Sequence, residues 1–141
     1  MKSDIEFYTQ DVDFPELDFS CISNWLSFII GAKNMSCGHL SIIFCSDEYL
    51  LKVNREYLNH DYYTDIISFD YCTPKSVSGD LFISVDTVKL NSNIFDVDFT
   101  HELTRVIFHG VLHLLGWDDH SEGDKLQMRS LENFWLHYFS V

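Results

Sequence analysis

The chain predicts a single α/β (α+β) domain in which one mixed sheet of about four strands is covered by helices. Three observations lead there. Short β-branched and aromatic runs alternate with longer segments whose apolar residues recur three and four apart. No internal repeat, low-complexity tract or Gly/Ser linker breaks the 141 residues, so one domain spans 1–141. Hydrophobic residues make up 46% of the chain and aromatics 16%, enough for a buried core and too much for a disordered chain.

The elements follow in order. "IEFYT" reads as a first strand. After Pro15, the segment Phe19 to Ala32 carries Ile22, Trp25, Leu26, Ile29 and Ile30 at helical spacing, with Gly31 as its stop signal. "GHLSIIFCS" is a buried β run, and Ser46 or Asp47 caps a helix that lines up Tyr49, Leu50 and Val53. "TDIISFDYC" and "GDLFISV" are two further strands, with "TPKSVSG" between them as a hairpin connection. A short helix covers Asp86 to Asn91. "FTHELTRVIFHGVLHLLG" is the most strongly helical segment, with Thr100 as its cap, and Ser121 opens a last helix with a broad apolar face. The order β-α-β-α-β-β-α-α-α is that of a sheet with helices packed on it.

Composition then removes several function classes. No apolar run approaches the roughly 18 residues that span a bilayer, and "MKSDIEFYTQ" is too acidic and polar for a signal peptide. The reading is a cytoplasmic protein with no membrane partner, a monomer or weak oligomer. Cys21, Cys37, Cys45 and Cys72 are scattered without a CxxC pair, as reduced, buried thiols are. The net charge of −13, from 22 acidic and 9 basic residues, argues against a broad phosphate-binding surface. It leaves room for a local basic strip, for which Lys52, Arg55, Lys75 and Arg105 are the candidates.

"HGVLHLLGWDDH" holds three of the seven histidines. His109 and His113 are four apart, one turn along one helix face, so both can reach one metal ion. Gly116 lets the chain leave the helix and fold back, because glycine accepts the left-handed conformation. His120 then approaches the same ion from the other side. Three neutral imidazoles leave a fourth position open, the arrangement of a catalytic rather than a closed structural zinc. Gly110 stands where the HExxH peptidases place a glutamate base, which turns the reading away from peptide hydrolysis and leaves the base unassigned. His39, His60, His101 and His137 have no such companions and read as surface or structural residues.

The same stretch resembles the H-G-x-L-H-L-x-G-x-D-H signature of the YbeY family of metal-dependent endoribonucleases and ribosomal RNA maturation factors. "DYYTDIISF" (Asp61 to Phe69) resembles that family's D-x-P-T-D-V-L-S-F run, and "SGDLFIS" (Ser78 to Ser84) its L-G-D-I-x-I-S. Glu102 sits where the family carries an acidic residue. The resemblance implies an α/β fold holding one zinc ion (Zn2+) per chain and cleavage of single-stranded RNA. It further implies a role in maturing the 3′ end of small-subunit ribosomal RNA, with small-subunit components as partners.

Three departures stand out. His120 lies one residue further from His109 than in the signature, because an extra aspartate has entered the turn. A branch of the family lacks the third histidine and carries an aspartate nearby, so Asp119 is the alternative third ligand to His120. The arginine of the family's N-x-x-Y-R is replaced by Leu58, and Arg55, one helical turn away, is the nearest substitute. Tyr63 replaces a proline before Thr64.

The chemistry expected is zinc-assisted phosphodiester hydrolysis. Arg55, His109 and His113 are assigned to the catalytic site, the histidines as ligands and Arg55 to stabilise a phosphate, because a guanidinium donates to two oxygens at once. Asp65 and Asp80 read as loop-ordering carboxylates. Two other readings remain open on the sequence: a ribosome-associated binding factor with a structural zinc, and a general metallohydrolase.

Overall fold

The computed structural model describes residues 4–141, and its elements follow the predicted order. They are β1 (Asp4–Thr9), α1 (Phe19–Ala32), β2 (Ser36–Cys45), α2 (Asp47–Tyr57), β3 (Ile66–Asp70), β4 (Ser76–Ser84), α3 (Val85–Ile94), α4 (Phe99–Leu114) and α5 (Glu122–Tyr138). The sheet order is β1-β2-β4-β3. β1, β2 and β4 are parallel, whereas β3 pairs antiparallel with β4, so the expected mixed four-stranded sheet forms. The β3–β4 hairpin leaves β3 at the edge.

Alternation along each strand decides which helix covers which face. Leu40, Ile42 and Phe44 of β2, with Leu81 and Ile83 of β4, pack under α1, α4 and α5 in the main core. The opposite face presents Cys45, Ile67, Phe69 and Phe82 to Leu50 and Val53 of α2. Burial of each such aliphatic side chain is worth about 1.5–3 kcal/mol. Cys45 is fully buried, and that burial, aided by Asp11, Asp47 and Asp86, pushes its thiol up to about 12. The other three cysteines are only partly buried, fewer than the sequence reading expects.

α1 keeps its expected bounds, Phe19–Ala32, with Gly31 inside its last turn and Asn34 taking a positive φ of 61° just after it. Other boundaries differ from the expectation, each for a local reason. Thr100 does not cap α4. The helix starts at Phe99 with Asp98 at the cap, and the Thr100 carbonyl instead accepts from the Thr104 hydroxyl inside the helix. β4 begins at Ser76 rather than Gly79, because its first residues pair with Ser36 and Cys37 of a longer β2. α3 extends over Val85–Ile94 because Ser84 caps it through Thr87 N–H. Ser46 and Ser121 act as caps, the latter in a reciprocal capping box with Asp124.

α4 crosses the sheet over β3 and β4, and Gly110 faces Ile66 and Leu81 there. A Cβ at that position would stand 2.7 Å from Ile66 Cδ1 and 2.8 Å from Leu81 Cδ1. The glycine therefore serves packing, and a glutamate there would drive its carboxylate into the sheet. Gly110→Ala is expected to lower stability by up to about 2 kcal/mol. Overpacking of about 1–3 kcal/mol exceeds the helix-propensity gain of about 1 kcal/mol. Gly110→Glu is expected to abolish cooperative folding, and thermal unfolding followed by circular dichroism would test both. A Gly110→Glu protein as stable as the wild type would contradict this packing.

Candidate active site

Arg105, His109 and His113 recur every four residues along α4 and form a polar stripe on a helix otherwise buried in the core. Glu132 of α5 meets this stripe. Its carboxylate lies 2.8 Å from His109 Nδ1 and 3.0 Å from an Arg105 guanidinium nitrogen, with Arg129 at 3.6 Å. Arg105 also reaches Glu102 at 3.9 Å. Glu132 and Arg105 are both largely buried, so each neutralises the other where water does not.

His109 is subject to opposed effects. Burial pulls its pKa down, but the hydrogen bond and charge of Glu132, then Asp65 and Asp119, together hold it above the ordinary histidine value. Its Nδ1 donates to Glu132, so Nε2 faces the other way, toward Asp119 at 3.3 Å.

His113 is oriented by the helix end. Gly116 has φ of 104°, and the Trp117 and Gly116 N–H groups donate to the Leu112 and His113 carbonyls. This is the Schellman pattern, which glycine adopts without a Cβ penalty. It places the Trp117 carbonyl 3.2 Å from His113 Nδ1, which donates to it. Both imidazoles thus have Nδ1 committed to a protein acceptor, with Nε2 turned away from it and that of His109 meeting Asp119. Metal-binding histidines are commonly held this way.

Two cavities meet at this stripe and share Asp65, His109 and Asp119. The first, about 310 Å³, lies toward α3 and α5 and is also lined by Phe95, Arg105, Lys125, Arg129 and Glu132. The second, about 340 Å³, is lined by His113 and His120 and also by Leu58, His60 and Tyr62. The four candidate ligands, His109, His113, His120 and Asp119, therefore line one cavity. Among the described residues, no three His, Cys, Asp or Glu side chains are drawn together into a ready metal cage.

Arg55 lines neither cavity. It is exposed on α2 and paired with Asp61. Of the four residues proposed as a basic strip, only Arg105 reaches a cavity, and its charge is spent on Glu102 and Glu132. Sequence reasoning missed Glu132, because nothing in "RSLENFW" distinguishes a glutamate that turns inward. It also passed over His60, which had no histidine at metal-binding spacing. Asp65 is not only a loop residue: it stands on the wall common to both cavities, where burial pushes its carboxyl above the usual range against the pull of His109.

Glu132→Ala would strand the buried Arg105 with only the more distant Glu102. It is expected to cost about 3–5 kcal/mol, measured by urea unfolding. A loss below 1 kcal/mol would mean that this cluster does not hold α5 to α4.

Comparison with known proteins agrees along nearly the whole chain. The family model described as Endoribonuclease YbeY matches residues 4–140. A Parabacteroides distasonis protein named endoribonuclease YbeY is 46% identical over 129 residues, covering 92% of this chain and 91% of its own. Relatives of the same name from Porphyromonas gingivalis and Phocaeicola vulgatus are 45% and 44% identical. They cover 91% and 97% of this chain, and 85% and 99% of their own lengths. The solution structure of TM1509 from Thermotoga maritima superposes with a TM-score of 0.68 at 20% identity, over 96% of this chain and 91% of that one, and supports the fold. With the family model matching residues 4–140 and relatives of that name 44–46% identical over most of their lengths, the chain belongs to the YbeY endoribonuclease family.

Proposed function

We propose that this protein is a metal-dependent endoribonuclease that hydrolyses phosphodiester bonds of single-stranded RNA at the second cavity. The observation that carries this reading is the pair of imidazoles, His109 and His113, each anchored through Nδ1 so that Nε2 is left for a shared ligand. Chemically the donor set fits zinc: two neutral imidazoles with a third donor from the 118–120 turn. His120 is that third donor in this proposal, and Asp119 is the alternative, because its carboxylate already meets His109 Nε2. When bound, such an ion supplies Lewis acidity, lowering the pKa of water and drawing charge from a phosphoryl oxygen.

The remaining work falls to the chain itself. Glu132 and the Trp117 carbonyl fix the two rings, and Arg105 holds Glu132 in place. Lys125 and Arg129 line the first cavity and offer cations to the flanking phosphates of a strand that crosses both lobes. Arg55 would have to leave Asp61 to meet a phosphate, and it is given no contact in the cavities. Family membership supports maturation of small-subunit ribosomal RNA in the cytoplasm, with ribosomal components as partners, as the physiological setting.

Purified protein incubated with single-stranded RNA is expected to cleave it, to stop on chelation and to recover on zinc addition. His113→Ala is expected to lose at least about 100-fold in kcat/KM, the scale of a lost ligand or its supporting contact. Metal content of His120→Ala and Asp119→Ala, measured by mass spectrometry, assigns the third ligand. Cleavage that persists in chelator and in His113→Ala would overturn the metal-dependent reading. A chelated protein that unfolds, from a loaded form that never cleaves RNA, would favour a binding factor with a structural metal.

A further inference from the structure

The family resemblance places an arginine at position 58, and the structure puts that position on the wall of the second cavity. Here it is Leu58, which offers phosphate no hydrogen bond. Arg55 does not fill the gap, because its guanidinium is bound to Asp61 and lies outside both cavities. The polar group that does stand on this wall is His60, two residues further along.

The loop holding His60 is built around one buried side chain. Asn54, only 1% exposed, accepts from the Leu58 and His60 N–H groups through its carbonyl, each at 3.1 Å. Its side-chain amide donates to the Tyr62 carbonyl at 2.8 Å. Between them Asn59 takes a φ of 55°, a left-handed conformation that asparagine tolerates. The Tyr62 ring stacks on His60, with centroids 5.2 Å apart and planes at 22°. Its hydroxyl lies 3.1 Å from His60 Nδ1. A hydroxyl that donates to Nδ1 leaves the ring proton on Nε2.

Besides His60, the Ser68 hydroxyl on β3 also lines this cavity, and the other side-chain donors near His60 are engaged. The Asn54 amide bonds Tyr62, the Tyr62 hydroxyl bonds His60, and the Thr64 hydroxyl bonds the Ile66 carbonyl. His109, His113, His120 and Asp119 are the candidate ligands, and Asp65 is a carboxyl that repels phosphate when ionised. His60 is therefore the ring N–H donor left for substrate.

We propose that His60 is a substrate-contacting residue of this enzyme, donating from Nε2 to a phosphoryl oxygen of the RNA in place of the guanidinium missing at position 58. The inference rests on the endoribonuclease reading and concerns which residue of this chain meets the phosphate. Hydrogen bonding alone is assigned to it, with no bond made or broken at His60.

The test uses the full chain loaded with zinc and a single-stranded oligoribonucleotide, with cleavage and binding measured separately. His60→Ala is expected to lower kcat/KM about 10–100-fold, the range for a lost hydrogen bond to a charged group. Its affinity for the labelled RNA, read by fluorescence anisotropy in chelator, should weaken in parallel. His60→Gln, whose amide nitrogen can reach the place of Nε2, should recover part of both. Leu58→Arg added to His60→Ala should restore both, because it returns a guanidinium to the same wall. Wild-type cleavage and binding in His60→Ala would overturn the proposal, as would a defect that neither Gln nor the added arginine relieves. Wild-type protein that binds RNA through His60 but never cleaves it would refute the nuclease reading alone. Folded, zinc-loaded protein that neither binds nor cleaves RNA would refute both.

Discussion

Glu132 is the side chain on which the arrangement of this site depends. A carboxylate on α5 has been carried into the protein interior, where an isolated charge costs several kcal/mol. It persists there because Arg105 and His109 approach it from α4 and Arg129 from its own helix. The cluster ties the last helix to the helix of the histidines. Apolar residues of similar size can often match such a cluster in stability. What they cannot do is turn an imidazole. Glu132 fixes which nitrogen of His109 carries the proton and which edge faces the cavity, so the ionic cluster is an orienting device whose stability cost is offset within itself.

The second histidine is oriented by a different means, a helix terminus. Gly116 allows α4 to end in a Schellman turn, and that turn delivers the Trp117 carbonyl to His113. Trp117 is held in turn by the apolar core and by the Lys33 ammonium 4.7 Å from its ring centroid. The chain is thus fixed through residue 117, and the additional acidic residue of "WDDH" falls beyond the anchor. An insertion before Trp117 would have displaced the His113 acceptor. One placed after it changes only how Asp119 and His120 are presented to the cavity.

This division explains what the sequence revealed and what it concealed. Periodicity exposed the order of strands and helices, because alternation and helical spacing are local consequences of burying one face. The histidine pair was visible for the same reason, since four residues make about one turn. Edges were less legible. The start of α4 depends on Asp98, which competes with an equally plausible neighbour in sequence, Thr100. Glu132 and His60 were hidden for a deeper reason: each acquires its role from a tertiary neighbour, His109 for one and the second cavity for the other. Gly110 shows the converse. Its mismatch with the peptidase motif was plain, but its cause, the crowding by Ile66 and Leu81, required the packed sheet.

The net charge of −13 bears on how such a protein handles RNA. A polyanion is repelled by most of this surface, so nonspecific association is weak and adds little to affinity. Binding energy must then come from a few contacts made inside the cavities, where Lys125 and Arg129 line one lobe and His60 the other. Arg105 adds nothing directly, because Glu102 and Glu132 consume its charge. A strand that threads the shared wall of Asp65, His109 and Asp119 can reach both lobes. On the proposed function, donors inside the cavities supply what the net charge denies: a single strand gains contacts to Lys125, Arg129 and His60 that offset its repulsion.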